Sequence, residues 1–206
     1  MQMRLYKSLF VFGVLAVFMF NTCGQNTEDS TIKLKDNGVE EESNMFRPVV
    51  LSSDLSGSLY LHSMPGRYEP LSNSVFEIEE KEIDIVVSLN SLDEIREKSP
   101  AYANAIDENS LPFNRLEFPI VDFGIPKDSV AFLNLAENLA GRLQSGENLL
   151  IHCGAGIGRT GTLATSVLII LGTNLNESLE AVRTAGSDPE TEEQMDLVRW
   201  VADQKK

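Results

Sequence analysis

The stretch "IHCGAGIGRTGT", residues 151–162, holds one cysteine, four glycines and one arginine. The segment that leads into it, "ENLLIHC" (147–153), reads as a buried strand. The segment that leaves it, "TGTLATSVLIILG" (160–172), is apolar nearly all round, the pattern of a helix buried on every side. A glycine loop in that setting admits four readings: a dinucleotide loop, a phosphate cradle, a reactive-thiol site, or a plain turn. "GIGRTG" (156–161) does match G-x-G-x-x-G. The full dinucleotide fingerprint, however, requires a second strand ending in an acidic residue about 20 positions on. Glu177 and Glu180 fall in a helical pattern instead, and no strand follows the loop. A Walker loop fails because no Gly-Lys-Ser/Thr ending is present.

The thiol reading accounts for more. Cys153 ends a strand, and Arg159 follows six positions later, at the start of a helix. The residues between them, Gly154, Ala155, Gly156, Ile157 and Gly158, are small or flexible enough for successive N–H groups to form an anion nest. The helix N-terminus adds positive potential at the same point. Such surroundings favour thiolate over thiol, and a guanidinium supplies a rigid two-pronged donor for phosphate oxygens. The alternative of an inert core thiol in a simple turn leaves unexplained why an arginine sits at the mouth of an apolar helix.

Working outward, "RPVVLS" and "GSLYLHS" read as short strands, "NSVFEIEEKE" as a helix and "IDIVVSLN" as a buried strand. "SLDEIREKSPAYANAIDENS" is helical, with Pro100 either breaking it or opening a second helix. "FNRLEFPI" alternates like a strand. "PKDSVAFLNLAENLAGRLQSG" is an amphipathic helix with Val130, Leu133, Ala136 (or Leu135), Leu139 and Leu143 on its apolar face. "NLNESLEAVRTAG" and "ETEEQMDLVRWVADQ" close the chain as helices, with Thr191 and Gln194 at capping-box spacing. Strands alternating with helices imply an α/β domain built on a central, largely parallel sheet flanked by helices. Ligands of such sheets bind beyond the carboxyl ends of the strands, where the glycine loop lies.

The chain has 206 residues and a formal net charge of −14. That field repels nucleic acid and anionic membrane surfaces, and it requires any phosphate site to be locally positive. Residues 1–22 carry Arg4 and Lys7, then an apolar run from Leu9 to Phe20, the layout of a signal peptide. The run falls short of the about 20 apolar residues that span a bilayer. Cys23 follows directly, so the segment resembles a bacterial lipoprotein signal with Cys23 as the lipidated residue; a secretory signal or an uncleaved anchor is the alternative. All three readings export the protein. Residues 23–45, with six acidic and two basic residues and few large apolar ones, read as a flexible tether. The folded domain is expected over 46–206. Cys23 and Cys153, the two cysteines, sit in unlike surroundings and do not suggest a disulfide.

"HCGAGIGRTGT" resembles the H-C-x-x-G-x-x-R-[S/T]-G signature of the protein-tyrosine phosphatase superfamily, through His152, Cys153, Gly156, Arg159, Thr160 and Gly161. The length of the domain resembles the small dual-specificity branch. "VDFGIP" resembles the W-P-D-x-G-x-P acid loop, with Asp122 in the acid position, Gly124 and Pro126 also matching, and Ile120-Val121 in place of Trp-Pro. "ETEEQMDLV" resembles the segment of small dual-specificity members in which a Gln or Glu precedes T-x-x-Q, placing Glu190, Thr191 and Gln194.

The resemblance implies hydrolysis of phosphate monoesters through a cysteinyl-phosphate. Cys153 would be the nucleophile and Asp122 the acid and then the base. Arg159 and the N–H groups of residues 154–159 would bind phosphate. Thr160 would steady the departing thiolate, His152 would order the loop by hydrogen bonds, and Glu190 and Gln194 would give support. His62, the other histidine, is expected to be structural. No metal or cofactor is implied. The expected substrate is a phosphorylated protein. Inositol phosphates or other small phosphate esters are the alternative, with Arg67, Arg115 or Arg183 as a basic rim. A silent phospho-ligand binding module is the reading from a different class.

Overall fold

The computed structural model describes residues 45–205. The signal, tether and Cys23 readings fall, but for Met45, outside these residues. Five strands form one sheet in the order β1-β2-β5-β3-β4, with β1 (Arg47–Val49), β2 (Leu59–His62), β3 (Ile85–Ser88), β4 (Arg115–Glu117) and β5 (Leu149–His152). Only β1 runs antiparallel, against β2; the other three pairings are parallel. The sheet is therefore the largely parallel one that the alternation of elements implies.

β5 lies at the centre, buried at all four positions, with His152 in register with His62 of β2 and Ser88 of β3. All four parallel strands thus end on the same side of the sheet. The chain that leaves each end carries one part of the site: Arg67 after β2, Glu94 after β3, Asp122 after β4, and residues 153–159 after β5.

The helices are α1 (Leu71–Glu80), α2 (Leu92–Lys98), α3 (Pro100–Asp107), α4 (Ser129–Gln144), α5 (Gly158–Ile170), α6 (Leu175–Thr184) and α7 (Glu192–Gln204). Pro100 opens a helix, at a first-turn position where its missing N–H costs nothing. α5 is buried from Gly158 through Ile169 and packs against α4, α6 and α7, as its all-apolar sequence requires. It also begins earlier than the sequence suggests. Gly158 opens its first turn ahead of Arg159, which stands at the helix start as expected, so the guanidinium is carried on a rigid element.

The apolar face of α4 differs from the one read from spacing. Phe132, Leu135, Ala136, Leu139, Ala140 and Leu143 are buried, whereas Val130 is 59% exposed and Leu133 only partly covered. Asp128 caps the helix, accepting from the N–H groups of Val130 and Ala131 at 2.9 and 3.0 Å, so Val130 falls in a first turn that faces solvent. Phe132→Ala should cost about 3–5 kcal/mol of stability, and Val130→Ala less than about 0.5 kcal/mol. Urea denaturation of the two variants measures the difference.

Candidate active site

Between β5 and α5 the chain makes a tight loop whose carbonyls are tied outward. The Gly154 carbonyl accepts from the Met64 N–H at 3.3 Å. The Gly156 carbonyl accepts from Arg47 Nη2 at 2.5 Å and from Ser187 Oγ at 2.6 Å. A planar trans peptide points its N–H opposite to its C=O, so the N–H groups of Ala155 and Ile157 are turned to the other side. Among the described residues, no backbone acceptor takes the N–H of Gly154, Ala155, Ile157, Gly158 or Arg159. The Gly156 N–H donates to Cys153 Sγ at 3.3 Å. Cys153 is a free thiol, 3% exposed, at the floor of this ring of donors. Gly156 has a φ of +74°, and a Cβ there would lie 2.3 Å from the His62 carbonyl oxygen, so no other residue closes the loop without strain.

Arg159 is buried and committed on all four Nη hydrogens. Nη1 donates to Glu94 Oε2 at 2.8 Å and to the Ile120 carbonyl at 2.9 Å. Nη2 donates to Glu94 Oε1 at 2.9 Å and to Asp122 Oδ1 at 2.7 Å. Lys98, one turn beyond Glu94 on α2, donates to Glu94 Oε1 at 2.9 Å and to Asp122 Oδ2 at 3.3 Å. Burial alone would disfavour the charge on Glu94. The hydrogen bonds from Arg159 and Lys98 outweigh it and hold the carboxyl at a pKa of about 2, so it stays ionised.

The sequence pattern does not single out Glu94 or Lys98. "SLDE" is a Ser-x-x-Glu capping pattern, and Ser91 does cap α2 by accepting from the Glu94 N–H at 3.2 Å. That local explanation hides the side chain's distant partner. Arg47 is equally unmarked, an ordinary strand residue in sequence. Burial lowers its pKa, while the charge of Cys153 opposes that effect.

Asp122 sits on the loop between β4 and α4, where the acid-loop resemblance placed it. The next residue, Phe123, has a φ of +56°, a left-handed conformation rare for a bulky side chain. The loop is held at Ile120 by Arg159 and at Gly124, whose carbonyl accepts from Gln194 Nε2 at 3.0 Å. Gln194 departs from the expected capping box. Its N–H does donate to Thr191 Oγ1 at 3.2 Å, but its Oε1 accepts from the Glu190 N–H at 2.8 Å and not from that of Thr191. It therefore ties α7 to the acid loop. The Glu190 carboxylate crowds Gly158, where a Cβ would fall 2.2 Å from Oε2.

Two further residues of the expected site lie at the base of the loop. His152, fully buried, bonds Tyr102 of α3 through Nε2 at 3.4 Å, so its side chain ties the end of β5, where the loop begins, to a helix. Burial holds the ring neutral, with a pKa pushed down to about 3. Thr160 Oγ1 is buried with no hydrogen-bond partner among the described residues, so its expected bond to sulfur is not formed. His62, buried and bonded to Glu69 at 3.2 Å, is structural as expected. Of the three arginines of the expected basic rim, Arg115 pairs with Glu117 at 2.9 Å and Arg183 with Asp188 at 2.9 Å. Arg67 alone of the three reaches the loop, with Nη1 3.0 Å from where a Gly154 Cβ would be. Among the described residues no cluster of three or more His, Cys, Asp or Glu side chains is arranged to hold a metal ion.

The chain that forms this arrangement of thiol, amides and guanidinium matches one family model over residues 62–173, described as a DSP-PTPase phosphatase of polymorphic toxin systems (Tc-R-P). The chain belongs to this family. The matched segment runs from the end of β2 past α5 and contains Arg67, Glu94, Lys98, Asp122 and the Cys153 loop; it leaves out Arg47 and Gln194. The domain is thus a cysteine-based phosphatase of the dual-specificity type.

Solved structures agree on the fold. The chain resembles Tk-PTP in its active form, with a TM-score of 0.58 and 24% identity over 77% of this chain and 97% of that one. It resembles kinase associated phosphatase, bearing serine for its catalytic cysteine, with a TM-score of 0.61 and 20% identity over 71% of this chain and 86% of that one. For TpbA of P. aeruginosa the TM-score is 0.51 with 19% identity over 77% of this chain and 91% of that one.

Two groups make the site acid-sensitive. Glu94 has its pKa lowered from 4.5 to about 2, so its contribution to stability is complete above pH 4.5 and is lost as pH falls toward 2. His152 has its pKa lowered from 6.5 to about 3, so between those values the unfolded chain binds a proton that the folded chain refuses, and stability again falls with pH. Urea midpoints should therefore decline as pH drops below about 6.5. Glu94→Gln should flatten the decline below about pH 4.5 while leaving the upper part, due to His152, in place.

Proposed function

We propose that the protein hydrolyses phosphoprotein monoesters, phosphotyrosyl side chains foremost, through a cysteinyl-phosphate at Cys153. The observation that carries this reading is the set of N–H groups from Gly154 to Arg159 left without backbone acceptors around one buried thiol, with Arg159 locked in place by Glu94. A phosphate seated there presents phosphorus to Sγ while its equatorial oxygens take the amides and the guanidinium. Sulfur attacks in line, the phosphorus–oxygen bond breaks, and Asp122 gives its proton to the leaving oxygen. Water then attacks phosphorus, giving its proton back to Asp122, and the thiolate leaves. Thr160 Oγ1, with no partner of its own among the described residues, is available to donate to the sulfur at this step.

The rim favours an aromatic phosphoester over a polyanion. Val121 and Phe123, on either side of Asp122, are 72% and 62% exposed, and Ile125 and Ile157 are exposed on the acid and phosphate loops. Tyr68, 65% exposed, lies under Arg67 with 4.6 Å from guanidinium carbon to ring centroid. Exposed apolar groups gathered on the loops that carry the chemistry suit an apolar substrate surface. The second reading, an inositol phosphate or small phosphate ester, rests on Arg67. It is the one rim arginine of the three that keeps no acidic partner among the described residues. A solved neighbour, PTPMT1, is known in complex with PI(5)P, with a TM-score of 0.57 and 18% identity over 71% of this chain and 90% of that one. We also propose export and anchoring through a lipid on Cys23, supported by Arg4, Lys7, the apolar run and the acidic tether. Metabolic labelling with palmitate, lost in Cys23→Ala, tests the anchor.

Cys153→Ser should reduce hydrolysis of an aryl phosphate to background while the folded variant still binds phosphate. Asp122→Asn should lower kcat for an unactivated ester by about 100-fold or more and spare an ester with a very acidic phenol. A phosphotyrosyl peptide should be turned over with a higher kcat/KM than inositol hexakisphosphate; the reverse order would favour the second reading.

A further inference from the structure

Counting hydrogens on Arg159 exposes a conflict. A bidentate grip on phosphate takes two guanidinium N–H groups. All four Nη hydrogens already have protein acceptors, which leaves Nε–H alone without one among the described residues. One acceptor must yield when phosphate enters. Glu94 is held by both Nη atoms and by Lys98, and its side chain is only 14% exposed. The Ile120 carbonyl is part of the backbone. Asp122 makes a single bond to Arg159 and its side chain is 48% exposed. The carboxylate of Asp122 therefore occupies the Nη2 hydrogen that a phosphate oxygen requires, and it is the acceptor that leaves.

Once released, Asp122 has lost the contact with Arg159 that held it at the pocket. Its other oxygen remains within 3.3 Å of Lys98 Nζ. Lys98 is itself fixed, because Glu94 lies one helical turn before it on α2 and holds Nζ at 2.9 Å. The Glu94 hydrogen bond also raises the Lys98 pKa, which keeps the ammonium charged through the neutral range. Resting on the mechanism proposed above, we infer that Lys98 is a positioning residue that retains Asp122 at the mouth of the pocket while phosphate occupies Arg159. It touches neither phosphorus nor the leaving group. Its effect is to stop the acid from being swept into solvent by the substrate that displaces it.

The test uses Lys98→Met and Lys98→Arg in the full chain, with a series of aryl phosphates from dinitrophenyl to phenyl. Dinitrophenolate departs without a proton, whereas phenolate requires one, so the ratio of the two rates reads acid placement. Lys98→Met should lower kcat for phenyl phosphate by about tenfold or more and for dinitrophenyl phosphate by less than about twofold. Lys98→Arg should restore most of the loss. Competitive inhibition by inorganic phosphate, which reports Arg159 and the loop, should not weaken. An equal loss on every ester together with weaker phosphate inhibition would overturn the proposal, because Lys98 would then act by steadying Glu94 and Arg159. Unchanged rates across the series would overturn it as well. A wild-type chain that turns over no ester would instead defeat the mechanism on which the proposal rests.

Discussion

The two-pronged contact between Arg159 and Glu94 organises the rest of the site. A guanidinium with 2% of its side chain exposed is tolerated in this position only because a carboxylate meets it with two bonds of 2.8 and 2.9 Å. Loss of either partner strands a charge in a poorly hydrated space, which costs far more than the pair contributes. The pair also joins elements distant in sequence: Glu94 follows β3, and Arg159 opens the helix after β5. Its remaining hydrogens then fix the acid loop through Ile120 and Asp122. Three of the four chain segments leaving the parallel strands are thus tied to one guanidinium.

The catalytic loop obeys a second constraint, that each peptide is a rigid plane. Its carbonyls at Gly154 and Gly156 are held from outside by Met64, Arg47 and Ser187. Fixing those oxygens aims the following amides at one centre without any ligand present. The ring is therefore organised before phosphate arrives, and binding does not have to supply that ordering. This also explains how a chain with a net charge of −14 keeps a place for an anion. The positive potential is local, made of backbone dipoles, a helix terminus and the guanidinium groups of Arg47 and Arg159.

The parts that sequence reveals share a property: their neighbours in space are their neighbours in the chain. The thiol, the glycines and Arg159 occupy one loop and one helical turn. Asp122 is visible because its loop, with Gly124 and Pro126 at fixed offsets, resembles the acid loop of the phosphatase superfamily. The strands show through their apolar runs, and α5 through a pattern without a polar face. Glu94 and Lys98 are hidden because the same letters, Ser-x-x-Glu followed by Lys at i+4, describe an ordinary capped helix with a surface ion pair. Val130 and Phe132 exchange roles because both fit a helical period near the start of α4, and only the direction in which Asp128 launches the helix decides which one meets the sheet.

By itself, then, the sequence determined an α/β domain with a reactive cysteine and an arginine, since periodicity and short-range spacing encode these directly, and it marked the acid Asp122 through the resemblance of its loop to the phosphatase acid loop. The tertiary structure alone decided which carboxylate clamps Arg159, which cation reaches Asp122, and which of Arg67, Arg115 and Arg183 faces the loop. Those contacts join residues dozens of positions apart, Arg159 to Glu94 across 65 and Arg47 to Gly156 across 109. Long-range pairing of this kind follows from the order of strands in the sheet, which no local pattern carries.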